Sequence, residues 1–248
     1  MSKDLAVLLH GWDYNPNEVT VRRILGVDGH EKIQMRLDLG VLQMETSGRP
    51  DGKRPHGFES LLEYHIAQRD EAGDVDSWSE WVLDSDACAD LKQEAMQYYY
   101  RYLSLFHLGD YNDVIRDTER NIAVFDLIRD YAEDENDRMS LEQFRPYVLM
   151  MNARAKACLA LEEKRYEKAI GIIEDGVESI RDFFRSVERE DLIEVCREVQ
   201  FLEEWRERIE TNRPLTAVDR IRRELSNAVA SEDYERAAQL RDQLRALA

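Results

Sequence analysis

One short segment combines the residue types that bind anions. Residues 47–57, SGRPDGKRPHG, place Arg49, Lys53, Arg54 and His56 among three glycines and two prolines, a composition that predicts a loop. Because glycines let backbone amides converge and the side chains supply positive charge, this loop is a candidate site for phosphate or for a carboxylate of a partner. The alternative is a connecting loop whose arginines and lysine pair with acidic residues elsewhere in the chain.

The patterns of common catalytic and metal sites are absent from the sequence. It has no G-x-x-x-x-G-K-[ST], H-E-x-x-H, G-x-S-x-G or G-x-G-x-x-G. The five histidines are scattered, and Cys88, Cys158 and Cys196 lie far apart without a C-x-x-C spacing. We therefore expect three buried, reduced thiols, no catalytic residue, no metal, no cofactor and no enzymatic activity.

The net charge of −18 is unevenly distributed. Residues 1–60 are nearly balanced, and from residue 215 onward six arginines face six acids, so the acidity belongs to the middle of the chain. A negative field repels phosphate backbones, which makes nucleic acid an unlikely partner for that middle part, although not for a local basic patch. There is no signal peptide and no run of about 20 apolar residues, so we expect a cytoplasmic protein that does not contact membranes.

The C-terminal residues VDRIRRELSNAVASEDYERAAQLRDQL have the spacing of two short amphipathic helices. Ile221, Leu225 and Ala228 share one face of the first helix. Ser231 is the predicted N-cap of the second helix, because acids follow it in the first turn. Two helices this short bury little area, which favours docking on something else.

This segment resembles the UVR motif, which UvrB, UvrC and the bacterial Clp-related stress proteins share. The motif has an aromatic residue, then Glu-x-Ala-Ala and shortly afterwards Arg-Asp, here residues 234–238 and 241–242. Tyr234 departs from the usual phenylalanine, and its hydroxyl demands a polar neighbour or an edge position. The resemblance implies docking on another UVR hairpin or on a partner protein. The partner-binding residues would be Ile221, Leu225, Ala228, Tyr234, Ala237, Ala238, Arg241 and Leu244.

The elements before this hairpin divide into a β part and a helical part. Asp28-Gly29 between two alternating runs predicts a β-hairpin, and residues 33–39 put Ile33, Met35, Leu37 and Leu39 on one face of a half-buried ribbon. A helix from Phe58 would pack back on this ribbon. From Asp86 onward, four apolar stripes of period 3.6 predict an antiparallel helical array. They are Leu91, Ala95, Tyr98, Tyr102, Leu105; Leu141, Phe144, Val148, Met151, Ala155, Cys158; Ile170, Ile173, Val177, Ile180, Phe184; and Leu192, Val195, Val199, Leu202, Trp205, Ile209.

Part of this array, residues 95–187, resembles tetratricopeptide repeats. The resemblance rests on the turn from Gly109 to Tyr111 and on Tyr166 with Ala169 three positions later. The two tyrosines are 55 residues apart instead of one repeat of 34, so the helices would be longer than usual. On this interpretation, the C-terminal hairpin has an alternative role as the cap of the array.

We therefore expect a mainly α protein with a small N-terminal β part, an antiparallel tetratricopeptide-like helical array and a C-terminal helical hairpin. Its parts would be a β-ribbon and helix (1–72), an acidic helical domain (84–212) and the UVR-like hairpin (215–248). The expected function is a non-enzymatic, bacterial-type adaptor or scaffold that recruits a UVR-containing protein, another protein or a second copy of itself. The alternatives are an accessory factor of DNA excision repair that binds UvrB- or UvrC-type partners or nucleic acid, and an enzyme that uses the basic loop.

Overall fold

The computed structural model describes residues 4–73, 81–214 and 217–246 and shows the expected fold class. A small antiparallel sheet has the strand order β1 (Val21–Leu25), β2 (Glu31–Leu37), β3 (Gly40–Glu45), and the rest is mainly helical. The helices are α1 (Ala6–Leu9), α2 (Leu61–Gly73), α3 (Ser85–Leu108), α4 (Tyr111–Tyr131), α5 (Glu135–Met139), α6 (Arg145–Glu162), α7 (Tyr166–Ser186), α8 (Arg197–Asn212), α9 (Ala217–Ala230) and α10 (Tyr234–Ala246). Short 3-10 turns cover Pro55–Gly57, Glu142–Phe144 and Glu190–Leu192.

The chain divides by its contacts into two compact units, Met1–Arg206 and Glu207–Ala248. The first unit holds the sheet and most of the helices, and the second holds α9 and α10. The predicted boundary between residues 72 and 84 falls largely on residues 74–80, which lie outside the described residues. The division into three parts therefore stays a prediction.

The first β-hairpin forms where Asp28-Gly29 predicts it. β1 and β2 pair in antiparallel register, with Leu25 opposite Glu31. Gly29 has a φ of 78°, a conformation that glycine adopts without strain, and the Gly26 amide donates to the His30 carbonyl at 2.7 Å. The turn chemistry of this segment therefore sets the register of the sheet.

The second predicted strand is wrong beyond Leu37, because the chain reverses there. Asp38 and Leu39 form a two-residue turn, and Leu37 pairs with Gly40 at the start of β3. Leu39, predicted on the apolar face, is 90% exposed at the tip of this turn. Alternating residues on both sides of the turn are compatible with one bent strand or with two strands, so the alternation alone does not locate the reversal.

The sheet is also more covered than the expected half-buried ribbon. Lys32 and Gln34, predicted on the open face of β2, are both buried. The Gln34 amide oxygen accepts from Arg22 Nε at 2.8 Å, and the Arg22 guanidinium lies 3.8 Å from the centroid of the Trp12 ring. The residues before β1 therefore cover the polar face of the sheet, and Trp12 packs against it.

The helical core follows most of the predicted stripes. Leu91, Ala95, Tyr98, Tyr102 and Leu105 on α3 are all buried. Helix α3 packs along α4, and α6 packs against both α4 and α7. Two predicted core residues are instead exposed, namely Phe144 before α6 and Val195 before α8. No helix among residues 4–73, 81–214 and 217–246 is long and apolar enough to cross a bilayer.

Helix α2 packs on the helical core. The sequence prediction that this helix packs on the ribbon is therefore wrong. Leu61 and Leu62 belong to the same buried cluster as Leu91 of α3 and Val124 of α4. The N-terminus of α2 is capped across space by Glu94 of α3, whose Oε2 accepts from the Leu61 amide at 2.9 Å. Because helix N-termini carry unpaired amides and a partial positive charge, a buried carboxylate is a suitable partner for them.

A pair of buried charges joins the sheet to the helices. Arg101 Nε donates to Asp117 Oδ2 at 2.6 Å, and neither side chain is more than 1% exposed. Arg101 Nη2 donates to Asp117 Oδ1 at 2.8 Å, and Arg101 Nη1 donates to the carbonyls of Glu45, the last residue of β3, and of Gly48, which follows it. Arg116 donates to Asp117 Oδ1 at 2.9 Å and to the Thr46 carbonyl at 3.2 Å. The end of the sheet is thus held by guanidinium groups of α3 and α4.

Tyr98 completes the environment of these charges. Its ring centroid lies 4.7 Å from the Arg101 guanidinium and 3.9 Å from that of Arg120. Burial raises the pKa of the Tyr98 hydroxyl to about 12. The ring therefore stays neutral between two cations and contributes cation–π attraction to both.

We predict that Asp117→Asn strongly destabilises the protein. The substitution keeps the shape of the side chain but leaves Arg101 without a buried counter-charge, which costs about 3–5 kcal/mol of unfolding free energy. Urea unfolding followed by circular dichroism measures the loss.

The control is Asp191→Asn, which removes the partner of Arg189 in an exposed ion pair. Such exposed pairs contribute about 1 kcal/mol or less. Equal losses in the two variants would show that the buried pair has no special role.

Candidate partner-docking site

The second unit contains the predicted helical hairpin. Residues 231–233 join α9 to α10, and the Asp233 amide donates to the Ala228 carbonyl at 2.8 Å. Glu232 has a φ of 58°, the left-handed conformation that commonly ends a helix. The turn therefore reverses the chain within three residues.

The predicted N-cap of α10 is wrong. Ser231 Oγ donates to the Asn227 carbonyl at 2.9 Å, so this side chain serves the end of α9. The cap of α10 is Asp233, whose Oδ1 accepts from the Arg236 amide at 3.0 Å. Ser231 and Asp233 are both good caps, and the left-handed Glu232 between them decides which one stands at the helix start.

Half of the predicted partner-binding residues form the inside of the hairpin. Ala228 and Ala237 are buried with Leu240, which is 1% exposed, and Ile221 and Leu225 pack against them. Because Ala237 is small, α9 and α10 can approach closely along this line. These apolar residues therefore hold the two helices together.

The other predicted residues lie on the outside of α10. Tyr234 is 69% exposed, and Ala238 and Arg241 are exposed one and two turns further along, while Leu244 is half-buried at the edge of the core. Arg245, which the motif does not include, continues the same spacing of i, i+4, i+7 and i+11 and is also exposed. We call Tyr234, Ala238, Arg241 and Arg245 the α10 stripe. The helical period would have identified Arg245 as its fourth member.

The basic loop does not bring the four predicted anion ligands together. Arg49 turns inward, where its Nε lies 3.4 Å from Oε2 of Glu94 and 3.2 Å from Oδ1 of Asp51. Lys53, Arg54 and His56 are exposed. The alternative interpretation, a connecting loop that pairs with acidic residues, describes the contacts of Arg49.

Three backbone amides of this loop, those of Gly52, Lys53 and Gly57, are engaged within it. The Gly52 amide donates to the Arg49 carbonyl at 2.9 Å, and the Lys53 amide donates to Asp51 Oδ1 at 3.0 Å. His56 has a φ of 51°, and its ring stacks on Tyr64 with centroids 4.1 Å apart. The anion site stays a prediction that these contacts do not support.

The described part of the chain holds no group of three His, Cys, Asp or Glu side chains that could bind a metal ion. Its three cysteines are free thiols. Burial raises the pKa of Cys88 to about 11 and also raises the pKa values of Cys158 and Cys196. A raised pKa keeps the reactive thiolate scarce near neutral pH, so these thiols have the properties of packing residues.

Comparison with known proteins identifies the hairpin. Residues 216–248 match the family model of the UvrB/UvrC motif, UVR, in agreement with the sequence prediction. The match associates this part of the chain with UvrB/UvrC-related interactions or a role linked to DNA repair. No curated protein and no solved structure matches the chain at a significant level. The resemblance of residues 95–187 to tetratricopeptide repeats lies outside the match and stays a prediction.

We predict that Asp233→Ala loosens α10 and leaves the rest of the chain unchanged. Loss of an N-cap costs about 1 kcal/mol, which corresponds to roughly fivefold faster opening of the first turns. Hydrogen exchange of residues 234–246, measured by mass spectrometry on the full chain, reports this change. Ser231→Ala is the matched control and should leave exchange in α10 unaltered, whereas the opposite result would restore Ser231 as the cap.

Proposed function

We propose that this protein is a non-enzymatic adaptor that recruits a partner through the α10 stripe. The main observation that supports this proposal is the exposure of Tyr234. This side chain is the aromatic residue of the matched motif and is 69% exposed. An aromatic residue and an arginine on one exposed face are the types that contribute most binding energy at protein interfaces. The small Ala238 between them leaves room for a partner helix.

The division of residues within the hairpin supports docking. The apolar side chains of its core cluster are already used between α9 and α10, so the α10 stripe can change partners without opening the hairpin. A two-helix unit buries little apolar surface, and a docked partner adds to what is buried. The edge position of Tyr234 also keeps its hydroxyl in water when the ring packs against a neighbour.

The charge distribution also supports this role. Residues 207–248 contain eight acids and eight bases, so the whole net charge of −18 belongs to residues 1–206. A neutral hairpin can approach a second hairpin without net repulsion, and packing then decides the affinity. We propose as partner a protein with a UVR-type hairpin, such as UvrB or UvrC, or a second copy of this chain. The free thiols support a reducing compartment, the cytoplasm of a bacterial cell.

The second candidate function is an accessory role in DNA excision repair, which the UvrB/UvrC motif match favours. In this role the hairpin would dock on a repair protein. Direct contact with nucleic acid is disfavoured by the charge of residues 1–206 and by the inward position of Arg49. The two candidate functions therefore share the docking surface and differ in the process that it serves.

We predict that Tyr234→Asp and Arg241→Glu each weaken partner binding about tenfold or more, with little change in thermal stability. The probes are the UvrB and UvrC proteins of the same organism, measured by calorimetry, and the chain itself, measured by sedimentation. Arg223→Glu is the matched control, because it reverses an exposed charge on α9. If the three variants behave alike, the α10 stripe is not the docking face. A lower melting temperature with unchanged binding would instead support a capping role for the hairpin.

We predict that the chain does not bind a short DNA duplex at about 0.15 M salt, because a specific complex needs several phosphate contacts from a basic face. An electrophoretic mobility shift with and without UvrB measures this. A shift by the chain alone would favour direct nucleic-acid binding, and a shift only in the presence of UvrB would favour the repair role.

A further inference from the structure

The first unit carries an apolar trough on its helical part. Two cavities of about 520 and 550 Å³ have Gln143 and Glu198 in both of their linings, so they adjoin each other. Each volume lies in the range of ligand-binding clefts, roughly 300–1,000 Å³. We call the two cavities together the trough.

Large apolar side chains stand exposed in the lining of the trough. In the first cavity, Met96 and Phe144 are each 48% exposed, beside Tyr99 and Tyr147. In the second cavity the exposed large apolar residues are Met139 and Val195. In soluble proteins, exposed methionine and aromatic side chains seldom cluster in one concave surface unless a ligand or a partner protein binds there.

The lining of the trough also includes the two residues that the apolar stripes wrongly place in the core. Phe144 and Val195 have the helical spacing of core residues, yet both are exposed in its lining. A side chain that keeps a core type in an open position costs stability, and such departures concentrate at functional surfaces. These exposed core-type residues favour a binding surface over an accident of loose packing.

We propose that the trough binds an amphipathic α-helix with a basic polar face, supplied by another protein. Its walls come mainly from α3, α4, α6 and α7, with the turn Glu142–Phe144 and the start of α8, and helices pair their backbone groups internally. An extended peptide would find few backbone partners on such walls, whereas a helix satisfies its own backbone and presents apolar side chains to a groove.

The preference for a basic helix comes from the charge of the unit. The cations in the lining are mostly paired, since Lys92 Nζ lies 2.5 Å from Asp137 Oδ1 and Arg189 contacts Asp191. Glu198 faces both cavities and accepts a hydrogen bond from the neutral Cys196 thiol at 3.3 Å. Because the exposed Arg197 also lines the second cavity, the lining itself is close to neutral. The net charge of −18 over residues 1–206 therefore favours a partner helix whose polar face is positively charged.

Two synthetic helical peptides test this proposal against the full chain. They share the same leucine positions, and their polar faces are all lysine or all glutamate. Fluorescence anisotropy should show binding of the lysine peptide, weakened as salt rises toward about 0.5 M, and no binding of the glutamate peptide. Equal binding of both peptides would overturn the choice of a basic helix, and no binding of either would overturn the trough as a helix site.

Substitutions in the lining separate the trough from general attraction to an acidic protein. Met96→Asp and Phe144→Asp should each weaken the lysine peptide roughly tenfold, although each adds negative charge. Leu39→Asp and Leu25→Asp are the controls at exposed apolar positions on the sheet, and neither should change the affinity. Met96→Ala replaces Met96→Asp if melting shows that the latter does not fold. Equal effects of the lining variants and the controls would overturn the proposal.

Discussion

The ion pair between Arg101 and Asp117 is the interaction on which the rest of the first unit depends. Two charges removed from water are tolerable only when every hydrogen-bonding group around them has a partner. Arg101 meets this requirement with both oxygens of Asp117 and with two backbone carbonyls, one at the end of β3 and one just after it. The geometry therefore fixes the spacing of α3 and α4 and the path of the chain after the sheet in one arrangement.

The same arrangement separates the structural and the outward-facing charges. The basic loop contributes Arg49 to a buried carboxylate, and the remaining acidic residues of the unit leave a strong negative field outside. The hairpin, by contrast, balances its charges and displays an aromatic side chain. The chain thus offers two surfaces of different chemistry, an apolar trough within an acidic unit and, on a hairpin of balanced charge, an α10 stripe with an aromatic residue and two arginines.

Local structure could be predicted from the sequence where the residues clearly favour one conformation over the others. Asp28-Gly29 has few alternatives to a β-turn, and the hairpin motif combines several residue types at fixed offsets, so both were identified. The reversal at Asp38 and Leu39 was missed because alternation looks the same on either side of it. The cap of α10 was assigned to Ser231 because the sequence does not reveal the left-handed Glu232.

Long-range contacts could not be predicted in this way. Nothing in the spacing of Glu94 shows that it caps a helix that begins 33 residues earlier. The pattern also places Phe144 in the core, and only the assembled helices show that it faces an open trough. The exposed side of α10 could be predicted in part, because Tyr234 and Arg241 follow from the motif while the hairpin core follows from packing.

The cap on α2 also bears on the order of events during synthesis. Residues 45–62 leave the ribosome before Glu94, Arg101 and Asp117, the side chains that hold them. Closing these long loops carries an entropic cost that local contacts avoid. The first part of the chain therefore reaches its final packing only after the helices that follow it have been made. The core cluster that the structure describes in the C-terminal hairpin lies within residues 221–240, so its contacts are local and can form soon after these residues emerge. The hairpin is therefore among the segments that reach their final form most quickly.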